Sequence, residues 1–188
     1  AIAVSEKVAL ISQNPAGGRI RFFTNSPYIA IYVKYDSAFF SPNYSFTATA
    51  GFDLYSDKRY IGAYIPPLRT KDTFESIIYL DDDLQGQEYT INFPICSSIK
   101  EIKIGIKDGS ILKKATDYTI KKPVVFYGSS TTQGGCASRP GNIYENIISR
   151  ELDCDYLNLG FGGNALGEES MARYIANLEM SAFVYDYD

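Results

Sequence analysis

From Val8 to about Ile120 the chain alternates apolar and polar residues with period two, broken by turns at short intervals. RIRFFT (19–24) and YIAIYVKY (28–35) flank the turn-forming Asn25-Ser26-Pro27, and GFDLY (51–55) and KRYIGAYI (58–65) flank Ser56-Asp57 as a tight hairpin. EYTINF (88–93) places Tyr89, Ile91 and Phe93 on one face. KEIKIGIK (100–107) sends Ile102, Ile104 and Ile106 one way and Lys103 and Lys107 the other. Many short alternating strands with turn signals between them predict an all-β sandwich, jelly-roll-like, with no amphipathic helix in this part.

The pattern changes at Lys121-Lys122-Pro123. VVFYG (124–128) is apolar without alternation, as in a strand covered on both faces of a parallel sheet. A helix is predicted from Asn142-Ile143-Tyr144-Glu145, with Asn142 and Glu145 as a capping-box-like pair and Ile143, Ile147, Ile148 and Leu152 on one side. YLNLGF (156–161) reads as a second buried strand. Glu168 and Glu169 open a second helix whose apolar face is Met171, Tyr174, Ile175 and Leu178. AFVYDYD (182–188) is a third strand. The expected organisation is a β-sandwich over residues 1–121, followed by a β-α-β-α-β unit over 122–188. Open α/β sheets bind ligands at the carboxyl ends of their strands. The segments after Tyr127, after Phe161 and around Asp188 belong to that edge.

Composition narrows the function classes. With 45% apolar and 21% charged residues the chain is an ordinary globular one, and 16 Tyr with 11 Phe and no Trp suit a large β portion. A net charge of −4 argues against a nucleic-acid surface, which needs clustered Lys and Arg. No apolar run approaches the ~20 residues that span a bilayer, and AIAVSEKVALISQNP has no signal-peptide pattern. It also lacks a starting Met, so cytoplasmic and secreted locations are both compatible with the sequence. Three cysteines, Cys96, Cys136 and Cys154, lack CxxC spacing and read as free or buried thiols, with a Cys136–Cys154 bridge left open. There is no histidine, so imidazole is missing both as a general base and as a metal ligand. No metal or other cofactor is expected. Asp81-Asp82-Asp83 has no EF-hand spacing and reads as a solvated turn.

The first parallel strand runs into Gly128-Ser129-Ser130-Thr131-Thr132-Gln133-Gly134-Gly135. A phosphate-binding P-loop would need GxxxxGK[ST], and a GxSxG elbow would need Gly where Thr132 stands. Gly128-Ser129-Ser130 instead resembles the GDS-type block of SGNH hydrolases, with Ser in place of Asp. Asn158-Leu159-Gly160-Phe161-Gly162-Gly163-Asn164 resembles the family's second block. The stretches YGSSTTQGGCASRPGN (127–142), NLGFGGNA (158–165) and Gly51-Phe52-Asp53-Leu54-Tyr55 together are similar to SGNH/GDSL esterases that carry an N-terminal GxDLY β domain.

That resemblance implies Ser130 as nucleophile, with the N–H groups of Ser130 and Gly163 forming an oxyanion hole. Each such donor contributes roughly a hundredfold to a thousandfold in rate. It also implies a flavodoxin-like sheet of which this chain holds the first part, and a third-block Asn and an Asp-x-x-His that the 188 residues do not contain. The parent is expected to remove short acyl groups, acetyl above all, from carbohydrate, while this chain alone is expected to be inactive. The competing expectation is a non-catalytic carbohydrate-binding or accessory protein that keeps the esterase scaffold. Arg139 and Asn164 are candidates for contacting a polar substrate or for bracing their loops. The edge strand 182–188 is a route to self-association.

Overall fold

The computed structural model describes residues 4–70 and 72–186. In chain order, its first part comprises α1 (Glu6–Ile11), β1 (Arg19–Thr24), β2 (Tyr28–Ser37), α2 (Phe46–Thr49), β3 (Phe52–Ser56), β4 (Arg59–Tyr64), β5 (Thr73–Tyr79), β6 (Gln87–Asn92), β7 (Ser98–Gly105) and β8 (Leu112–Lys114). There follow β9 (Ile120–Gly128), α3 (Ser130–Gln133), α4 (Tyr144–Leu152), β10 (Cys154–Gly160), α5 (Glu169–Ala176) and β11 (Ala182–Asp186).

The fold is mostly β, in three sheets. Two are antiparallel, ordered β4-β3-β6-β1-β8 and β5-β2-β7, and they enclose one core. The sequence alternation explains this directly. In β2, Ile29, Ile31, Val33 and Tyr35 are buried while the residues between them are partly exposed. They meet Phe52 and Leu54 of β3 and Tyr89 and Ile91 of β6 from the facing sheet. Burying each such side chain contributes about 1.5–3 kcal/mol. The β3–β4 hairpin turns at Asp57-Lys58, since Ser56 pairs with Arg59, so its turn lies one residue beyond the predicted Ser56-Asp57.

This part nonetheless holds two short helices, α1 and α2, which the sequence did not announce. In α1, Ser5 Oγ accepts the Val8 N–H at 3.1 Å, capping a six-residue helix with Glu6 in its first turn. Six residues and four residues show too few turns for a 3.6 period to register. Strands β5 and β8 were also not predicted. In β5, Ile77 and Tyr79 lie exposed opposite the inward Phe74 and Ile78, so the alternation is masked.

The third sheet is parallel, ordered β10-β9-β11, with Gly128 level with Gly160 on one side and Asp186 on the other. Both faces of β9 are covered, as its unbroken apolar run requires. Val125 and Tyr127 pack with Met171 and Ile175 of α5 and with Val8 of α1. Val124 and Phe126 pack with Cys154 and Tyr156 of β10 and with Tyr144 and Ile148 of α4. Among the described residues β11 pairs only with β9, and its Phe183, Val184 and Tyr185 remain largely exposed.

The helix after Pro140 departs from prediction twice. Asn142 sits in a single 3-10 turn (Pro140–Asn142) and Ile143 is the N-cap, without a side-chain cap bond. The predicted capping pair is pulled apart because each partner has a better one elsewhere. Asn142 Nδ2 donates to Ser138 Oγ at 2.9 Å, and Glu145 turns inward. The buried side of α4 is accordingly polar, with Glu145, Asn146 and Ser149, while Ile147 and Leu152 face out. Two of these polar groups are satisfied by backbone: Asn146 Nδ2 donates to Pro140 O at 3.0 Å and Ser149 Oγ to Cys154 O at 2.6 Å.

Candidate active site

At the carboxyl end of β9 the chain leaves Gly128, passes Ser129 and starts the one-turn helix α3 with Ser130, whose side chain is exposed. The turn lies directly on the neighbouring strand. A Cβ at Gly160 would overlap the backbone of Thr132 and Gln133, so only glycine allows β10 to end beneath α3.

Polar contacts hold this turn from several sides. Thr132 Oγ1 donates to Asp186 Oδ2 at 3.0 Å and lies 3.0 Å from the Tyr144 hydroxyl. Thr132 O accepts from Asn158 Nδ2 at 2.6 Å. Gln133 bridges two regions: its Nε2 donates to Ile95 O at 3.3 Å, and its Oε1 accepts the Gly162 N–H at 2.9 Å. Gly162 is thereby held against the serine, and a Cβ placed on it would stand 3.4 Å from Ser130 Cβ.

Ser130 and Gly163 lie on the same rim of the sheet, one after β9 and the other after β10. Gly163 is exposed with φ of +69°, and among the described residues neither its N–H nor that of Ser130 has a hydrogen-bond acceptor. Asn164 closes the turn, its N–H donating to Phe161 O at 2.7 Å and its Nδ2 to Gly162 O at 2.8 Å. A side-chain hydroxyl on a helix start, beside a turn with a free N–H, is an arrangement that can present a nucleophile and stabilise negative charge. Asp188, expected on this rim, lies outside the described residues.

Behind the turn is a carboxyl group that sequence reasoning assigned to a helix cap. Glu145 is completely buried; its Oε1 accepts from Asn158 Nδ2 at 3.2 Å and its Oε2 finds no donor among the described residues. Burial pushes its pKa up to about 8, with the Asp186 carboxylate adding to the rise. Gln133 was likewise unmarked in the sequence, and no local pattern distinguishes it from a loop-shaping residue.

Arg139 lies on the segment that follows the turn. Its Nε donates to the Tyr55 hydroxyl at 3.1 Å and stands 3.7 Å from Asp53 Oδ2, and its guanidinium covers the Tyr60 ring at 4.2 Å. All three cysteines are free, so Cys136 and Cys154 form no bridge. Asp81, Asp82 and Asp83 are exposed, and no group of three or more metal-ligating side chains occurs among the described residues. Among the described residues, no helix is long and apolar enough to cross a membrane.

Comparison with known proteins gives these features a context. Residues 121–187 match the GDSL-like lipase/acylhydrolase family, and residues 1–112 match GxDLY, the N-terminus of SGNH-hydrolase-type esterases. The chain belongs to the SGNH/GDSL family with a GxDLY N-terminus. A Bacteroides ovatus protein described as a GDSL-like lipase is 30% identical, with a TM-score of 0.89 over 97% of this chain and 54% of its own. A salicylyl-acyltransferase from a tetracycline biosynthetic pathway shares the fold at 19% identity and a TM-score of 0.70, over 97% of this chain and 50% of its own. A family two carbohydrate esterase from Clostridium thermocellum, solved with cellohexaose, shares it at 12% identity and 0.53, over 89% and 57%. The SGNH/GDSL chain thus spans about half the length of the solved structures it matches. No curated protein matches it.

Proposed function

We propose that this chain is the N-terminal part of a serine ester hydrolase in which Ser130 is the nucleophile. The observation that carries the reading is the exposed Ser130 at the start of α3, packed beside the Gly162-Gly163 turn at the carboxyl rim of a parallel sheet. Ser130 Oγ attacks the acyl carbon as a base takes its proton, and the N–H groups of Ser130 and Gly163 receive the developing oxyanion. The alcohol departs with that proton. Water then attacks the acyl-serine, gives its proton to the same base, and releases the acid as Ser130 regains its hydrogen. The 188 residues contain no histidine, so the imidazole base comes from outside this stretch. Residues 1–121 serve as a jelly-roll-like accessory domain, and 122–188 open a flavodoxin-like hydrolase domain.

Short acyl groups, acetyl above all, on carbohydrate are the proposed substrates. The exposed site sets little limit on a large alcohol, and the Clostridium thermocellum neighbour is described as a carbohydrate esterase. Arg139 and Asn164 act mainly in bracing their loops in this scheme.

The test uses a full-length protein, an activated acetyl ester and a serine-directed fluorophosphonate. Ser130→Ala is expected to abolish labelling and cut turnover by about 10³-fold or more. The 188-residue chain alone should hydrolyse the ester near background, with Ser130→Ala changing little. Brisk, Ser130-dependent turnover by the short chain would place a base within it. Full-length turnover indifferent to Ser130→Ala would reject the nucleophile assignment, and a full-length protein with neither turnover nor labelling would favour a non-catalytic carbohydrate-binding role.

A further inference from the structure

We propose that the Gly51-Phe52-Asp53-Leu54-Tyr55 segment is a clasp that positions the Ser130 turn, an inference resting on the reading of Ser130 as nucleophile. A hairpin that needed only to pack would not choose a carboxylate for its interior, because burying one is costly unless it is paired. Asp53 is nonetheless completely buried. Its Oδ1 accepts from Asn92 Nδ2 at 2.8 Å, within the antiparallel sheets. Its Oδ2 points into the other region, where it accepts the Gly141 N–H at 2.7 Å with Arg139 Nε 3.7 Å away.

Tyr55 works on the same segment. Its hydroxyl receives the Arg139 Nε–H at 3.1 Å and lies 3.4 Å from Asn142 Oδ1, and its ring is covered by the Arg150 guanidinium at 4.2 Å. The fit leaves space for nothing larger than hydrogen at Gly141, where a Cβ would run into the Tyr55 ring and stand 2.8 Å from Asp53 Oδ2. Gly51 meets a similar limit against Thr47 O and Tyr64 O, and Leu54 is fully buried in the β core. Ser45 Oγ adds a second tether, donating to Ser138 O at 2.6 Å.

Within three residues of Gly141 the gripped segment reaches the helix that carries Ser130. Ile143 is buried and backs Gly134 at the end of α3, while Tyr144 reaches Thr132 Oγ1 inside it. Fixing Gly141 therefore helps to fix two of the side chains against which α3 packs.

Two measurements separate positioning from mere stapling. Hydrogen exchange on the 188-residue chain reads the clasp itself. Asp53→Asn, which keeps shape and removes the charge, should speed exchange in 138–144 by about tenfold or more and leave β2 unchanged. Kinetics on the full-length esterase read the consequence. Asp53→Asn should lower kcat about 10- to 100-fold with KM within about threefold, and combining it with Arg139→Gln should cost less than the product of the single effects. Tyr55→Phe, which removes one hydroxyl and keeps the ring, should lower kcat about three- to tenfold by the same route, and it carries the test if Asp53→Asn does not fold. Unchanged exchange in 138–144 would overturn the clasp. Faster exchange with kcat unchanged would overturn positioning. Turnover that survives Ser130→Ala would instead strike the nucleophile assignment on which the proposal stands.

Discussion

The antiparallel sheets and the parallel sheet of this molecule are stabilised by different means. Residues 19–105 enclose an apolar core from their own strands, with Ile29, Val33, Phe52, Leu54, Tyr64 and Ile91 completely buried. The parallel sheet shares its apolar faces with short helices, one of them from the other end of the chain. Its carboxyl rim is fixed by hydrogen bonds through Thr132, Gln133, Asn158 and Glu145. Apolar packing tolerates small shifts at graded cost, whereas a buried polar network is worth most when every member is in place. The antiparallel region is packed with hydrocarbon, and the rim that carries the proposed nucleophile is tied with directional bonds.

Three substitutions break or sharpen that contrast. The largest effect is expected from Phe52→Ala, which opens a cavity in the closed core. It should cost about 3–5 kcal/mol of unfolding free energy by denaturant titration. A loss under 1 kcal/mol would mean that this core does not carry the stability assigned to it. Gly160→Ala should cost about 1–3 kcal/mol by forcing α3 off the end of β10, and should suppress fluorophosphonate labelling of the full-length protein well beyond that loss of stability. Labelling at the wild-type rate would show that α3 can move without consequence.

The smallest effect concerns Glu145. Its folded pKa of about 8 lies above the ordinary 4.5, so the folded chain keeps a proton that the unfolded chain has released. This contribution is complete below about pH 4.5 and is lost as pH rises through 8. Glu145→Gln should remove that slope, and the variant should gain about 1–2 kcal/mol relative to the parent between pH 6 and 8. Parallel stability curves for the two proteins would refute the buried-acid assignment.

What the sequence displayed follows the same division. Strands β1, β2, β6 and β7 were legible because one face meets a core and the other does not, which prints period two into the chain. Strand β9 was legible from its unbroken apolar run. Ser130 and the Gly162-Gly163 turn were marked by motif. What stayed hidden depends on partners that no periodicity marks, some near in sequence and some distant. Asp53 is a plain strand residue until Gly141 approaches it, 88 positions later. Asn142 and Glu145 have the local chemistry of a capping pair, but Ser138 and Asn158 take them instead. The face of α4 misleads for another reason: its inward polar groups satisfy backbone carbonyls just beyond the two ends of the helix, which a count of apolar positions does not register.

The position of Val8 has a consequence for synthesis. This residue, in a helix of six, is completely buried against the sheet built on β9. A helix that short does not persist alone in water. At about 5–20 residues per second, translation needs roughly 6–23 s to travel from Val8 to Val125. During that interval the antiparallel sheets can fold while residues 5–11 wait unstructured. The parallel sheet therefore recruits a segment made well before it, and the spatial units are interlaced across the sequence. In ribosome-stalled nascent chains, residues 5–11 should stay open to proteolysis until β9 and the segments that pack with it have left the exit tunnel, and become protected afterwards. Protection before β9 has emerged would show that the helix finds another seat first.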